Sequence, residues 1–124
     1  MADQPKRVLI VEDERPIAKA LELKLNHSGF EAKAVFDGEQ ALQMLESETF
    51  DVVLLDLMMP KTDGFAVLEE LKKRGISVPV VVVSNLNQPE DIEKAKTLGA
   101  ADFFIKSDTP LSGVVEHVKR VVGL

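Results

Sequence analysis

Polar residues stand directly after four apolar runs: Glu12 and Asp13 after VLIV, Asp56 after VVLL, Ser84 after VVVV and Lys106 after FFI. Three carboxylates gathered within a few ångströms repel one another and raise each other's pKa unless a cation compensates, so the set implies a divalent metal. Oxygen-only ligation, with no His or Cys close by, selects a hard ion. Mg²⁺ fits best because it takes few protein carboxylates, keeps waters and binds phosphate oxygens. Lys106 supplies a point charge for a phosphoryl oxygen and Ser84 a hydroxyl donor. The combination points to phosphoryl transfer, in which positioning and charge neutralisation do most of the catalysis. Asp56 can serve as the nucleophile and form an aspartyl-phosphate, because an ionised carboxylate needs no separate general base.

Taken singly, most of these residues have plainer readings. A Glu-Asp pair suits the solvated start of a helix, Ser84 a turn and Lys106 a surface lysine. Asp56 differs, because a charge between VVLL and LMMP costs free energy unless it is paired or metal-bound. His27 and His117 fall on helical stretches away from the acids and read as solvated.

The elements that must position these groups are legible. Five short apolar runs, Val8 to Val11, Ala32 to Val35, Val52 to Leu55, Val80 to Val83 and Phe103 to Ile105, alternate with amphipathic stretches, as in a βα series. VLIV, VVLL and VVVV are apolar at every position, which predicts mainly parallel strands covered on both faces. In an open α/β sheet the ligand crevice lies at the carboxyl ends of the strands. All five site positions therefore fall on one rim, and pairing strand one with strand three gathers them at a topological switch point.

Pro16, Pro89 and Pro110 are read as first helical residues, with Thr109 as N-cap of the last helix. Gly29, Gly75 and Gly99 close helices. The last helix buries a face of Leu111, Val114, Val115, Val118, Val121 and Val122. The helix from Pro89 to Leu98 shows only Ile92, Ala95 and Leu98 as apolar and is predicted to be the least firmly held. On the first helix Ile17, Leu21 and Leu25 face the sheet, and Pro16, Ala20, Leu23 and His27 form a second stripe.

The chain has 124 residues, 45% of them hydrophobic and 29% charged, which suits one globular domain over 1–124 with a core from about 6 to 122. Fifteen Lys plus Arg against 21 Asp plus Glu leave a formal charge of -6, which argues against direct binding of nucleic acid or anionic membranes. There is no cysteine, so disulfides, thiolate metal sites and a Cys nucleophile are excluded, in keeping with a cytoplasmic location. No run approaches the roughly 20 apolar residues of a membrane span.

Together, VLIVEDE, VVLLDLMMPKTDG, VVVVSN and ADFFIKS resemble the receiver domain of two-component response regulators over the whole chain. The resemblance implies a doubly wound, flavodoxin-like (βα)5 sandwich with a five-stranded parallel sheet of order 2-1-3-4-5. It implies that Asp56 accepts phosphate from a sensor histidine kinase or phosphotransfer protein. Asp13 and Asp56, with the Met58 carbonyl, would bind Mg²⁺ directly, and Glu12 mainly through water. Lys106 would pair with the phosphoryl group, Ser84 would move to hydrogen-bond it, and Phe103 would turn inward behind Ser84. Pro60 and Gly64 would shape the turn beside Asp56. The first helix would dock the kinase through the Leu23 stripe. A downstream protein would read the change, with the chain a stand-alone receiver, either monomeric or dimerising on phosphorylation, and no enzyme beyond its own phosphorylation and dephosphorylation.

Two positions depart from the family pattern. Ser107 stands where proline, often cis, is usual, and a cis Lys-Ser bond would cost about 3 kcal/mol, so a trans bond and a reshaped loop are expected. Asn85 stands where small residues are usual, implying a narrower phosphate entry or altered hydrolysis. Two other classes compete: a pseudo-receiver that binds partners without phosphate, and a metal-dependent phosphatase turning over external substrates through an aspartyl-phosphate. A flavin-binding relative of the same architecture is disfavoured, since no phosphate-binding loop follows strand one and there is no Trp or Tyr.

Overall fold

A computed structural model of the chain describes residues 5–59, 63–85, 88–106 and 109–123. Five strands alternate with five helices: β1 (Arg7–Val11), α1 (Arg15–His27), β2 (Glu31–Val35), α2 (Gly38–Ser47), β3 (Val52–Leu55), α3 (Gly64–Lys73), β4 (Val80–Ser84), α4 (Pro89–Thr97), β5 (Asp102–Ile105) and α5 (Leu111–Val122). All pairings are parallel, in the order β2-β1-β3-β4-β5. The expected doubly wound, flavodoxin-like fold is therefore the one observed. The three wholly apolar strands occupy the middle, where both faces are covered.

Alternation along the strands divides the core into two layers, because successive side chains point to opposite faces. Leu9, Val11, Val53, Leu55, Val80 and Val82 pack with Ala41 and Leu45 of α2, Val67, Leu68 and Leu71 of α3 and Ala95 of α4. Val8, Ile10, Val52, Leu54, Val81 and Val83 pack with Leu21 and Leu25 of α1 and with Val114, Val115 and Val118 of α5. The edge strand β2 exposes Glu31 and Lys33 while burying Ala32 and Val35, which is why it reads less apolar than its neighbours.

Helix ends follow the chemistry of their caps. Gly29, Gly75 and Gly99 have φ of 95°, 70° and 102°, a region where a side chain is strained. Each lets the chain reverse so that the next residue's N–H reaches back into the helix: Phe30 to Leu25, Ile76 to Leu71 and Ala100 to Ala95. α4 is held as sparsely as expected, with Ala95 alone buried within its span.

Two helix starts differ from the sequence reading. Pro16 is the second helical residue, behind Arg15. Pro110 is the N-cap of α5 instead of its first residue, and Thr109 does not cap; its hydroxyl donates to the Ile105 carbonyl at 2.9 Å. That bond ties the segment after β5 back to the strand, and a hydroxyl spent there cannot also serve the helix. His117 is also not simply solvated. Its Nδ1 lies 2.7 Å from Asp102 Oδ2 and its ring stacks on Phe104, because α5 lies across the edge strand. His27 is exposed, as expected. Pro60 and Ser107, with the Lys106–Ser107 bond, lie outside the described residues. Among the described residues no helix is long and apolar enough to cross a membrane.

Candidate functional site

Strand order places the acids. β1 leads to β2 on one side of it and the chain then returns to form β3 on the other, so the crevice opens at the carboxyl ends of β1 and β3. Both strands continue their ladders one residue further. The Glu12 N–H donates to the Val35 carbonyl at 3.1 Å, and the Asp56 N–H donates to the Val11 carbonyl at 3.0 Å. These bonds set Glu12 and Asp56 side by side at the end of the core, 2% and 5% exposed, with half-buried Asp13 next to them. Each acid offers a carboxylate oxygen, and the three oxygens lie within 4.8 Å of one another.

Lys106 arrives from the far edge. β5 is two strands from β3, and only a long side chain spans that gap. Its Nζ lies 2.6 Å from Glu12, 3.3 Å from Asp56 and 3.5 Å from Glu14. On the other side of Asp56, the Met58 N–H donates to Asp56 Oδ1 at 3.0 Å, which fixes the carboxylate's orientation. Gly64, the first residue of α3, closes against this turn, and its N–H donates to the Leu57 carbonyl at 3.0 Å. Asp63 caps the helix by accepting the Ala66 N–H at 2.9 Å.

Of the remaining expected positions, Ser84 lies on the same rim, whereas Phe103 sits further back in β5, in register with Val82. Ser84 ends β4, fully buried and paired in register with Ile105, the residue before Lys106. Phe103 is half-buried and packs against the core layer under α3 and α4. Asp13, Glu14, Asp56, Met58, Asn85 and Lys106 line a cavity of about 290 Å³ at the mouth. On α1, Leu23 is half exposed and Pro16 and His27 are exposed, while Ala20 is half-buried.

Electrostatics follow from this crowding. Burial, the largest influence, holds the Glu12 carboxyl up to about 7; the Lys106 ammonium and the Glu14 N–H pull it down and the Asp56 charge pushes it up. Burial likewise raises Asp56, against the Met58 N–H and Lys106 and with help from the Asp13 charge. For Lys106 burial opposes the charge, but the Glu12 hydrogen bond and the Asp56 charge together outweigh it and the ammonium is held above its ordinary value. Four acids and one ammonium leave the cluster net negative. An all-oxygen set with two buried members in that condition suits a hard divalent cation such as Mg²⁺.

Glu14 belongs to the site although only its place within VLIVEDE marked it in the sequence. A carboxylate at the N-cap of a helix whose second residue is proline was the available signal, since Pro16 removes a donor that such a side chain would otherwise take.

A sequence model described as "Response regulator receiver domain" matches residues 8–114. The probable transcriptional regulator ycf27 of Guillardia theta is 40% identical over 105 residues, covering 85% of this chain and 41% of that protein. The alkaline phosphatase synthesis transcriptional regulatory protein PhoP of Bacillus subtilis is 33% identical over 105 residues, 85% of this chain and 44% of that one. The chain thus spans less than half the length of these relatives. Among solved structures, the receiver domain of the Francisella response regulator 1452 superposes with a TM-score of 0.88 at 30% identity, covering 95% of this chain and 97% of that one.

Proposed function

Since the chain belongs to the response regulator receiver domain family, we propose that its phosphorylation-controlled switch works through Asp56 as phosphoacceptor, with residues about 6–122 forming one receiver unit. The observation that carries this reading is a nearly buried carboxylate, Asp56, with an ammonium at 3.3 Å and two further acids beside it at the carboxyl edge of a parallel sheet. Such a carboxylate has left bulk water, yet it remains open to the cavity at the mouth.

In the proposed step an Asp56 oxygen attacks the phosphorus of a phosphohistidine. The new O–P bond forms as the N–P bond breaks, and the imidazole nitrogen keeps the electron pair. The Met58 N–H holds one Asp56 oxygen and leaves the other to react. Lys106 neutralises a phosphoryl oxygen, and the Ser84 hydroxyl turns to donate to another. Glu12, Asp13, Asp56 and the Met58 carbonyl would hold Mg²⁺, Glu12 through water; when bound, the ion neutralises charge on the transferring phosphoryl group. Phe103 then moves into the space behind Ser84. The loosely held α4 keeps the two conformations close in energy, so phosphate shifts their populations through its differential contacts.

This makes the chain a phosphoacceptor that catalyses only its own phosphorylation and hydrolysis, in a cytoplasmic setting. We place the sensor kinase or phosphotransfer protein on the exposed Leu23 stripe of α1, and the output in a partner protein, with the receiver a monomer or a dimer formed on phosphorylation.

Incubation with Mg²⁺ and acetyl phosphate should add one phosphoryl group per wild-type chain by intact mass and none to Asp56→Ala. Equal labelling of the two, or none of the wild type, would overturn the assignment. Leu23→Glu should keep acetyl phosphate labelling while losing transfer from the protein donor.

A further inference from the structure

Glu14 is the N-cap of α1, yet its side chain makes no capping hydrogen bond. Pro16 removes one of the N–H groups it would cap, and the carboxylate turns instead to the Lys106 ammonium at 3.5 Å. It is 61% exposed and stands at the mouth of the cavity that leads to Asp56. Its own N–H donates to Glu12 Oε2 at 3.1 Å, which fixes its backbone relative to the acids below. An incoming phosphoryl group must both pass this carboxylate and take over the ammonium it shares.

We propose that Glu14 is an electrostatic selector at the mouth of the phosphoacceptor pocket, a positioning residue that holds back small anionic phosphodonors by repelling them and by competing for Lys106. The inference rests on the reading of Asp56 as phosphoacceptor and deepens it. Two carboxylates already hold the ammonium more closely, Glu12 at 2.6 Å and Asp56 at 3.3 Å. Glu14 therefore adds little to holding Lys106 in place, and its effect is felt mainly by what enters. A unit charge a few ångströms away across exposed space changes an encounter by about three- to tenfold, and salt screens it.

The experiment compares wild type, Glu14→Gln and Glu14→Lys with acetyl phosphate and Mg²⁺, reading initial labelling rates by intact mass from low to high salt. Rates should rise in the order wild type, Gln, Lys, with Gln about three- to tenfold above wild type at low salt and the ratio falling toward one at high salt. The ratio isolates Glu14 from the field of the whole chain, which carries a formal charge of -6. With Mg²⁺ saturating in the rate assay, calorimetric Mg²⁺ affinity should fall by no more than about tenfold from wild type to Gln, and that fall should also fade with salt, because the side chain acts on the ion through its charge from the mouth and not as a ligand. Equal rates at every salt concentration, or a large loss of Mg²⁺ affinity that marks Glu14 as a ligand, would overturn the inference. Absence of labelling in wild type and variants alike would instead overturn the assignment of Asp56.

Discussion

The Lys106 ammonium stands 2.6 Å from a Glu12 oxygen, closer than the 3.3 Å that separates it from Asp56. The acid proposed to reach the metal through water is thus the main partner of the cation proposed to receive the phosphoryl group. On the proposed assignment, a phosphoryl oxygen on Asp56 would have to draw Lys106 away from Glu12, and a divalent cation held beside Glu12 would ease that release by compensating the carboxylate left behind.

Stability should depend on pH in an unusual direction. Glu12 is held up at about 7 from an ordinary 4.5, so the folded chain binds that proton more tightly than the unfolded chain does. Ionising it costs more in the fold, and stability falls as pH rises from about 4.5 to about 7, then levels. Asp56 shifts the same way and adds to the loss. In EDTA the unfolding free energy from urea titration should be lower at pH 8 than at pH 5 by on the order of 3 kcal/mol, and Mg²⁺ should recover more stability at pH 8. An unfolding free energy that climbed across this window would contradict the assignment.

Lys106→Met would leave Glu12 and Asp56 buried together without their ammonium. Removing one partner of a buried ion pair costs about 3–5 kcal/mol, and the loss should be near that at pH 8. At pH 5 Glu12 takes up a proton and the loss should shrink. Urea unfolding of both proteins at both pH values makes the comparison; a loss independent of pH would trace to packing of the lysine stem instead of to charge.

Gly64 has no room for a side chain. A Cβ there would stand 2.6 Å from Leu57 Cα and 2.7 Å from the Asp56 carbonyl oxygen, backbone atoms that cannot rotate aside. Gly64→Ala should destabilise by about 1–3 kcal/mol and slow labelling of Asp56, since the strain falls on the turn that carries it. Gly29→Ala is the control: φ is 95° but nothing lies within 4 Å of the added carbon, so stability drops while the labelling rate holds. Equal effects of the two on labelling would show that general destabilisation is responsible.

The Asp102–His117 pair couples the edge strand to α5. Its members are 29% and 23% exposed, so a double-mutant cycle through Asp102→Asn and His117→Gln should give a coupling of about 0.5–1 kcal/mol. His117→Ala should cost more than Asp102→Ala because it also loses the stack on Phe104. Zero coupling would return His117 to the solvated role first read for it.

Strand positions, the mainly parallel sheet covered on both faces and the rim of Glu12, Asp13, Asp56, Ser84 and Lys106 were legible because they rest on local rules. Unbroken apolar runs such as VVLL demand cover on both faces, and parallel strands joined by helices must put all their carboxyl ends on one edge. The strand order came only through the resemblance, since hydrophobic periodicity is blind to which strand lies beside which. Tertiary structure decided what depends on distance between residues remote in the chain. Lys106 and Glu12 are 94 positions apart, and whether that ammonium prefers Glu12, Asp56 or Glu14 is settled by side-chain reach across β4. The same holds for Glu14 turning from its helix to the mouth, for Thr109 bonding Ile105 instead of capping α5, and for His117 finding Asp102: each polar group took the partner that packing brought within a few ångströms, and no spacing along the chain encodes that competition.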